Sequence, residues 1–144
     1  MKSQDYSNHT RIHPVYHYVL TLLVLVTLVA AITNMVFAIN EGTNILQAVI
    51  LVLIMIIIVI VAALVRTYAL KAQDRAIRAE ESLRYYVLTG ELLDPALSMG
   101  QIVALRFAGD DEFADLCKKA AVKGSKPDDI KKAIKNWKAD NNRI

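Results

Sequence analysis

Hydrophobic and polar positions are segregated along this chain rather than interleaved. The extreme case is residues 47–68, whose interior from Ala48 to Val65 has no charge, no Gly, no Pro and no hydrogen-bonding side chain. Those 18 residues are apolar on every face, so the pattern is that of a membrane-spanning helix and not of an amphipathic core helix. At about 1.5 Å of rise per residue the run covers roughly 27 Å, close to the hydrocarbon thickness of a bilayer. Residues 15–39 form a second apolar stretch, with Pro14 suited to its first turn. That stretch is too long for the apolar part of a signal peptide, and the next span follows at once. Thr21, Thr27, Thr33 and Asn34 lie within it. The hydroxyls can bond back to their own helix, and Asn34 falls near the end that meets water. Residues 40–44, Asn-Glu-Gly-Thr-Asn, form a five-residue link that forces two antiparallel neighbours. Its only charge is Glu41, whereas Lys2 and Arg11 precede the first span and Arg66, Lys71, Arg75 and Arg78 follow the second. The positive-inside rule then puts both termini in the cytoplasm and the link outside.

Residues 69–89 prolong the second span without Gly or Pro, as a stem rich in good helix formers. Ala69, Ala72, Ala76, Ala79, Leu83 and Tyr86 recur at spacings of 3, 4, 3, 4 and 3, a heptad stripe of mostly small residues. Two uses fit it equally: self-association, or cover by the chain's own C-terminal helices. Asp74–Arg78, Glu80–Arg84 and Glu81–Arg84 have intrahelical pair spacing, worth about 0.2–0.5 kcal/mol each. Beyond Gly90 the chain predicts three short amphipathic helices over 90–138. The first opens on Ser98 with Gln101 three residues on, a capping box. The second starts after Gly109, carries Asp110, Asp111 and Glu112 in its first turn, and stops at Gly124. The third starts around Ser125-Lys126-Pro127-Asp128, and Ile130, Ala133, Ile134 and Trp137 follow at helical spacing. Three such helices bury little alone, and Leu83, Val87, Leu88, Leu92 and Leu93 are the expected apolar supply from the stem.

Composition adds location more than chemistry. The 144 residues are 55% hydrophobic and 22% charged, with a net charge of +3, an excess that reflects membrane topology better than nucleic-acid binding. The single Cys117 excludes an intramolecular disulfide and fits a reducing compartment. His9, His13 and His17 are spaced by four, but Pro14 interrupts the helix that would align them as metal ligands. An interfacial segment over 1–14, with Tyr6, Tyr16, Tyr18 and the histidines at headgroup level, is the better expectation. The acids Asp110, Asp111, Glu112 and Asp115 lack calcium-loop spacing. Lys131, Lys132, Lys135 and Lys138 surround Trp137 on the third helix. A solvated face explains them best, and contact with anionic lipid is the sharper alternative. No phosphate loop, ligand pair or nucleophile elbow is present, so no catalytic residue, cofactor or metal is expected.

The stretches YSNHTRIHPVYH, QDRAIRAEESLRYYVLTGELLDP and SMGQIVALRFAGDDEF, with IKKAIKNWKADNNR, resemble a group of small bacterial membrane proteins catalogued as domain of unknown function 6526. The resemblance implies two transmembrane helices and a cytosolic helical tail in a bacterial cell membrane, and no activity. The expected architecture is an all-α membrane protein: a transmembrane helical hairpin (15–68) whose second helix extends into a cytosolic stem (69–89), followed by a small helical domain (90–144). The expected function is that of a non-enzymatic membrane-anchored scaffold or interaction protein, self-associating through the stem and cytosolic helices. Its partners would be the bilayer, further copies of itself and another membrane or cytosolic protein, with no nucleic acid. The alternative is a subunit of an oligomeric channel or transport-accessory complex, with the first-span Thr and Asn lining a pore.

Overall fold

A computed structural model describes residues 4–8 and 12–140. The chain divides into two compact units, Ile12–Ala69, and Met1–Arg11 together with Leu70–Ile144.

The first unit is a pair of helices. A π-helical stretch, Val15–Leu20, leads from Pro14 into α1, Thr21–Glu41. Gly42 closes α1 in the left-handed region (φ 69°), and α2, Ile45–Thr89, begins three residues later. On α1 the shielded positions are Val24, Leu28, Ala31, Met35 and Ala38. On α2 they include Ala48, Val52 and Met55, then Ala62, Arg66 and Ala69. Both sets step by 4 and 3, a seven-residue repeat. In a two-helix unit each helix covers the other, and the buried Ala31, Ala38 and Ala48 are small residues of the kind that lets helices pack closely. The Tyr16 hydroxyl donates to the Ala62 carbonyl (2.9 Å), and the Arg66 guanidinium lies 5.6 Å from the Tyr16 ring centre. The remaining faces are exposed Leu, Ile, Val and Phe. Only 11% of the most apolar 18-residue window of each helix is buried within the molecule. The core helix of a water-soluble fold would be mostly buried, whereas these two helices are long and apolar enough to cross a membrane and are largely uncovered by the rest of the described chain.

The second unit is built on residues 70–89 of α2. Gly90 (φ 75°) ends the helix, its N–H donating to the Tyr86 carbonyl at 2.8 Å. Ser98 caps α3, Met99–Leu105, by the expected capping box. Gly109 caps α4, Asp110–Lys123, which Gly124 stops at φ 59°. Pro127 opens α5, Pro127–Ala133. The core joins Ile77 and Tyr85 of α2 to Leu97, Ile102, Leu105, Phe107, Phe113, Cys117, Ile130 and Ile134. Burial of this set is the main favourable term for the unit.

Two expectations are corrected here. The third helix does not reach Trp137. It ends at Ala133, and Ile134 is extended. The following strand-like segment pairs antiparallel with the α3–α4 turn through Ala108 and Trp137. Gly109 N–H donates to the Asn136 carbonyl and Lys138 N–H to the Phe107 carbonyl, both at 2.7 Å. The reason is Glu112. Its carboxylate accepts from the backbone N–H groups of Lys135 (2.9 Å) and Asn136 (2.8 Å), donors that a continuing helix would have used internally. Trp137 packs on Phe107 at 5.3 Å between ring centres instead. This close passage also accounts for Gly109, where a Cβ would sit 3.1 Å from the Asn136 carbonyl oxygen. The second correction concerns α2. Leu83, Val87, Leu88 and Leu92 are exposed, and Ile77, Glu81 and Tyr85, spaced by four, are what α2 buries. Leu93 alone of the expected five packs against the core.

Candidate interaction surface

The charged residues of the helical domain are mostly engaged internally. Arg84 is the centre of one network. Its Nη1 meets Glu81 at 3.0 Å, its Nε donates to Asp110 at 2.7 Å, and its Nη2 donates to the Ala108 carbonyl at 2.6 Å. The guanidinium also stacks 4.1 Å from the Phe113 ring centre. The Arg84 and Glu81 side chains are only 11% and 10% exposed. What the sequence presents as a surface i,i+3 pair is therefore buried, and Arg84 reaches on to Asp110 to tie α2 to α4. The Arg84 hydrogen bond and charge hold the Asp110 carboxyl below its usual range. Asp111 accepts from the Asn136 side chain. So three of the four clustered acids serve the fold: Asp110 holds Arg84, and Asp111 and Glu112 hold the 135–136 turn.

Arg106 is a second buried cation, 3.1 Å from the Asp140 carboxylate and 4.7 Å from the Phe107 ring centre. Asp140 is in turn tied to the N-terminal segment. Its N–H donates to Gln4 Oε1 (2.8 Å), and Gln4 Nε2 donates to its carbonyl (3.5 Å). The Tyr6 hydroxyl donates to Asp128 Oδ1 at 2.7 Å, and Lys132 lies over the Tyr6 ring. The hydrogen bond to Asp128 raises the Tyr6 pKa, while Lys132 and then Tyr6 lower that of Asp128. Tyr6 is thus attached to the helical domain. Nothing in its sequence neighbourhood signals a partner 122 residues away. His9 lies outside the described residues, and among those described no three His, Cys, Asp or Glu side chains converge as a metal site would.

The four lysines do not share a helix face. Lys131 and Lys132 are on α5, and Lys132 is paired with Asp128 at 2.7 Å. Lys135 and Lys138 lie beyond its end, on the walls of an open groove of about 710 Å³ that also holds Asp5, Asp110 and Trp137. Acids and bases alternate there, which gives no single-sign surface for a charged ligand.

Cys117 is 2% exposed. Burial, and next the Glu81 charge, push its thiol up to about 12. Alkylation by a maleimide at pH 8 is expected to be at least about a thousandfold slower in the folded protein than in urea. Labelling followed by mass spectrometry reads this out directly. Comparable rates in the two states would mean that the core around Cys117 opens readily.

The small-residue stripe has a clear placement. Ala69 is half-buried, and Ala72, Ala76, Ala79, Leu83 and Tyr86 are exposed. The C-terminal helices cover the opposite face of α2, at Ile77, Glu81 and Tyr85. Of the two uses the stripe admitted, cover by the chain's own helices is excluded for these five residues. Val87 joins Leu83 and Tyr86 in an apolar patch where the three side chains are 74%, 64% and 52% exposed.

These features define a small all-helical protein with two membrane-length apolar helices, and a helical domain whose salient surface is one face of a helix. The whole chain, residues 1–144, matches DUF6526, a family of unknown function, and it belongs to that family. No curated protein and no solved structure matches it.

Proposed function

We propose that this protein is a non-enzymatic scaffold of the bacterial cell membrane, anchored by a two-helix hairpin with both termini in the cytoplasm. It self-associates or docks a partner through the outer face of α2 and the adjoining cytosolic helices. The observation that carries the interaction role is the uncovered apolar patch at Leu83, Tyr86 and Val87, since soluble surfaces seldom leave such side chains together without use. The bonds from Gln4 to Asp140 and from Tyr6 to Asp128 support the topology. Residues that touch lie on one side of a bilayer, so an even number of crossings separates them. The excess of Lys and Arg flanking the hairpin ends supports the cytoplasm as that side.

An oligomeric channel gains less support. The Thr21, Thr27 and Thr33 hydroxyls each donate to a carbonyl of their own helix, those of Tyr16, Leu23 and Val29. They offer a passing ion little. Reporter fusions to each end test the topology: both are expected to be active only when the reporter works in the cytoplasm. Activity of the two ends on opposite sides would overturn it.

A further inference from the structure

The outer face of α2 carries more than apolar side chains. With Ala69, Ala76 and Leu83 in the first core position of a heptad, and Ala72, Ala79 and Tyr86 in the second, every residue of 69–89 acquires a place. The outward positions, which a free-standing coiled coil leaves to solvent, here include Ile77, Glu81 and Tyr85, all buried in the chain's own domain. The seam from Ala72 to Tyr86 is exposed, and its flanks are exposed at Arg75, Glu80 and Val87 and half-buried at Gln73, Ser82 and Thr89. The flanking positions on one side are Gln73, Glu80 and Val87; on the other they are Arg75, Ser82 and Thr89. Arg75 and Glu80 are both exposed.

This charge pattern selects one arrangement. In a parallel, in-register pair of helices the flank residue Arg75 of one copy meets the residue five positions on in the other, which is Glu80. The contact forms twice by symmetry. In an antiparallel pair each flank meets its own kind. One flank has no acid to meet Arg75, and the other has no base to meet Glu80. We propose that the occupant of this face is a second copy of the same chain, its α2 lying parallel and in register. The seam would run from Ala72 to Tyr86, with Leu83 and Tyr86 as its apolar anchors and Arg75–Glu80 pairs across it. The inference deepens the self-association proposed above and rests on it. It also agrees with that topology, because copies inserted alike in one membrane are related by an axis along the membrane normal and have parallel stems.

Single cysteines added to the full-length protein, oxidised in native membranes, test this directly. The wild type is the control, since its Cys117 is buried. Ala76→Cys and Ala79→Cys are expected to give disulfide-linked dimers of twice the chain mass, because core positions of a parallel pair bring like residues within bonding range. Lys71→Cys, exposed but off the seam, is expected to stay monomeric. Arg75→Glu should weaken dimerisation of the Ala79→Cys protein about tenfold by placing like charges across both flanks. Adding Glu80→Arg should restore it. If Ala76→Cys and Ala79→Cys stay monomeric while Lys71→Cys crosslinks, or if they crosslink to a different protein, the parallel pair is overturned. So too if the double charge exchange dimerises no better than Arg75→Glu alone. The reporter fusions decide the scaffold topology separately, so a failed seam and a failed anchor give different results.

Discussion

Arg84→Met is expected to destabilise the helical domain by about 3–5 kcal/mol, because it leaves a buried charge without its partner. Glu81 is 8% exposed, and its carboxylate meets the Arg84 guanidinium at 3.0 Å. Taking the cation away strands that anion in the core, and it also removes the donor at 2.6 Å from the Ala108 carbonyl. The exposed Asp110 contact adds little, since its carboxylate side chain is 64% exposed and water can replace Arg84 there. A neutral replacement of both partners, Glu81→Gln with Arg84→Met, should recover about half of the loss, because the stranded charge is then gone. Urea unfolding followed by the fluorescence of Trp137, the one tryptophan, measures this in the intact protein in detergent. That ring packs on Phe107 in the same domain, so its signal reports that unit. A pH series gives a second check with a definite sign. The Asp110 carboxyl has a lowered pKa in the fold, so its contribution is present at neutral pH. It is lost as pH falls through that lowered folded value. Arg84→Met should flatten that part of the acid limb. A variant as stable as the wild type would show that the Arg84 network contributes no net stability.

The parts legible in the sequence are those whose cause is local. Gly42 and Gly124 stop helices because a left-handed residue is needed where they stand. Ser98 and Gln101 form a capping box within four residues. The 18 apolar residues from Ala48 to Val65 announce their helix by composition alone. What escaped depends on partners far along the chain. The spacing of Ile130, Ala133, Ile134 and Trp137 is a fair helical signal, and Glu112, 23 residues from Lys135, defeats it by taking two backbone donors. On α2 the alanine stripe has the tidier period, yet the buried face is Ile77, Glu81 and Tyr85. A glutamate in that series disguises it: its partner Arg84 is legible three residues on, but nothing nearby reveals that the Phe113 ring and the Ala108 carbonyl will receive that guanidinium and bury the pair. The N-terminal segment is the same case at longer range. Tyr6 reads as an interfacial aromatic, and nothing near it signals the hydrogen bond to Asp128.

Phe113→Ala is the other large effect, at about 3–5 kcal/mol. Phe113 is fully buried and is the ring on which the Arg84 guanidinium stacks. It also meets Tyr85 edge-on at 6.2 Å between ring centres, so its removal opens a void between α2 and α4 and takes away an aromatic pair. The domain is small and its core rests on few large side chains, so little surrounding material can collapse into the space. The two substitutions should also be coupled. Once Phe113 is gone, Arg84 loses the face it stacks on and water gains access to Glu81, so breaking the ion pair costs less. The combined variant should fall short of the summed single losses by about 1–2 kcal/mol, the scale on which contacting residues depart from additivity. Full additivity would mean that the ring and the guanidinium act independently. In that case Arg84 would hold α2 to α4 through its hydrogen bonds alone.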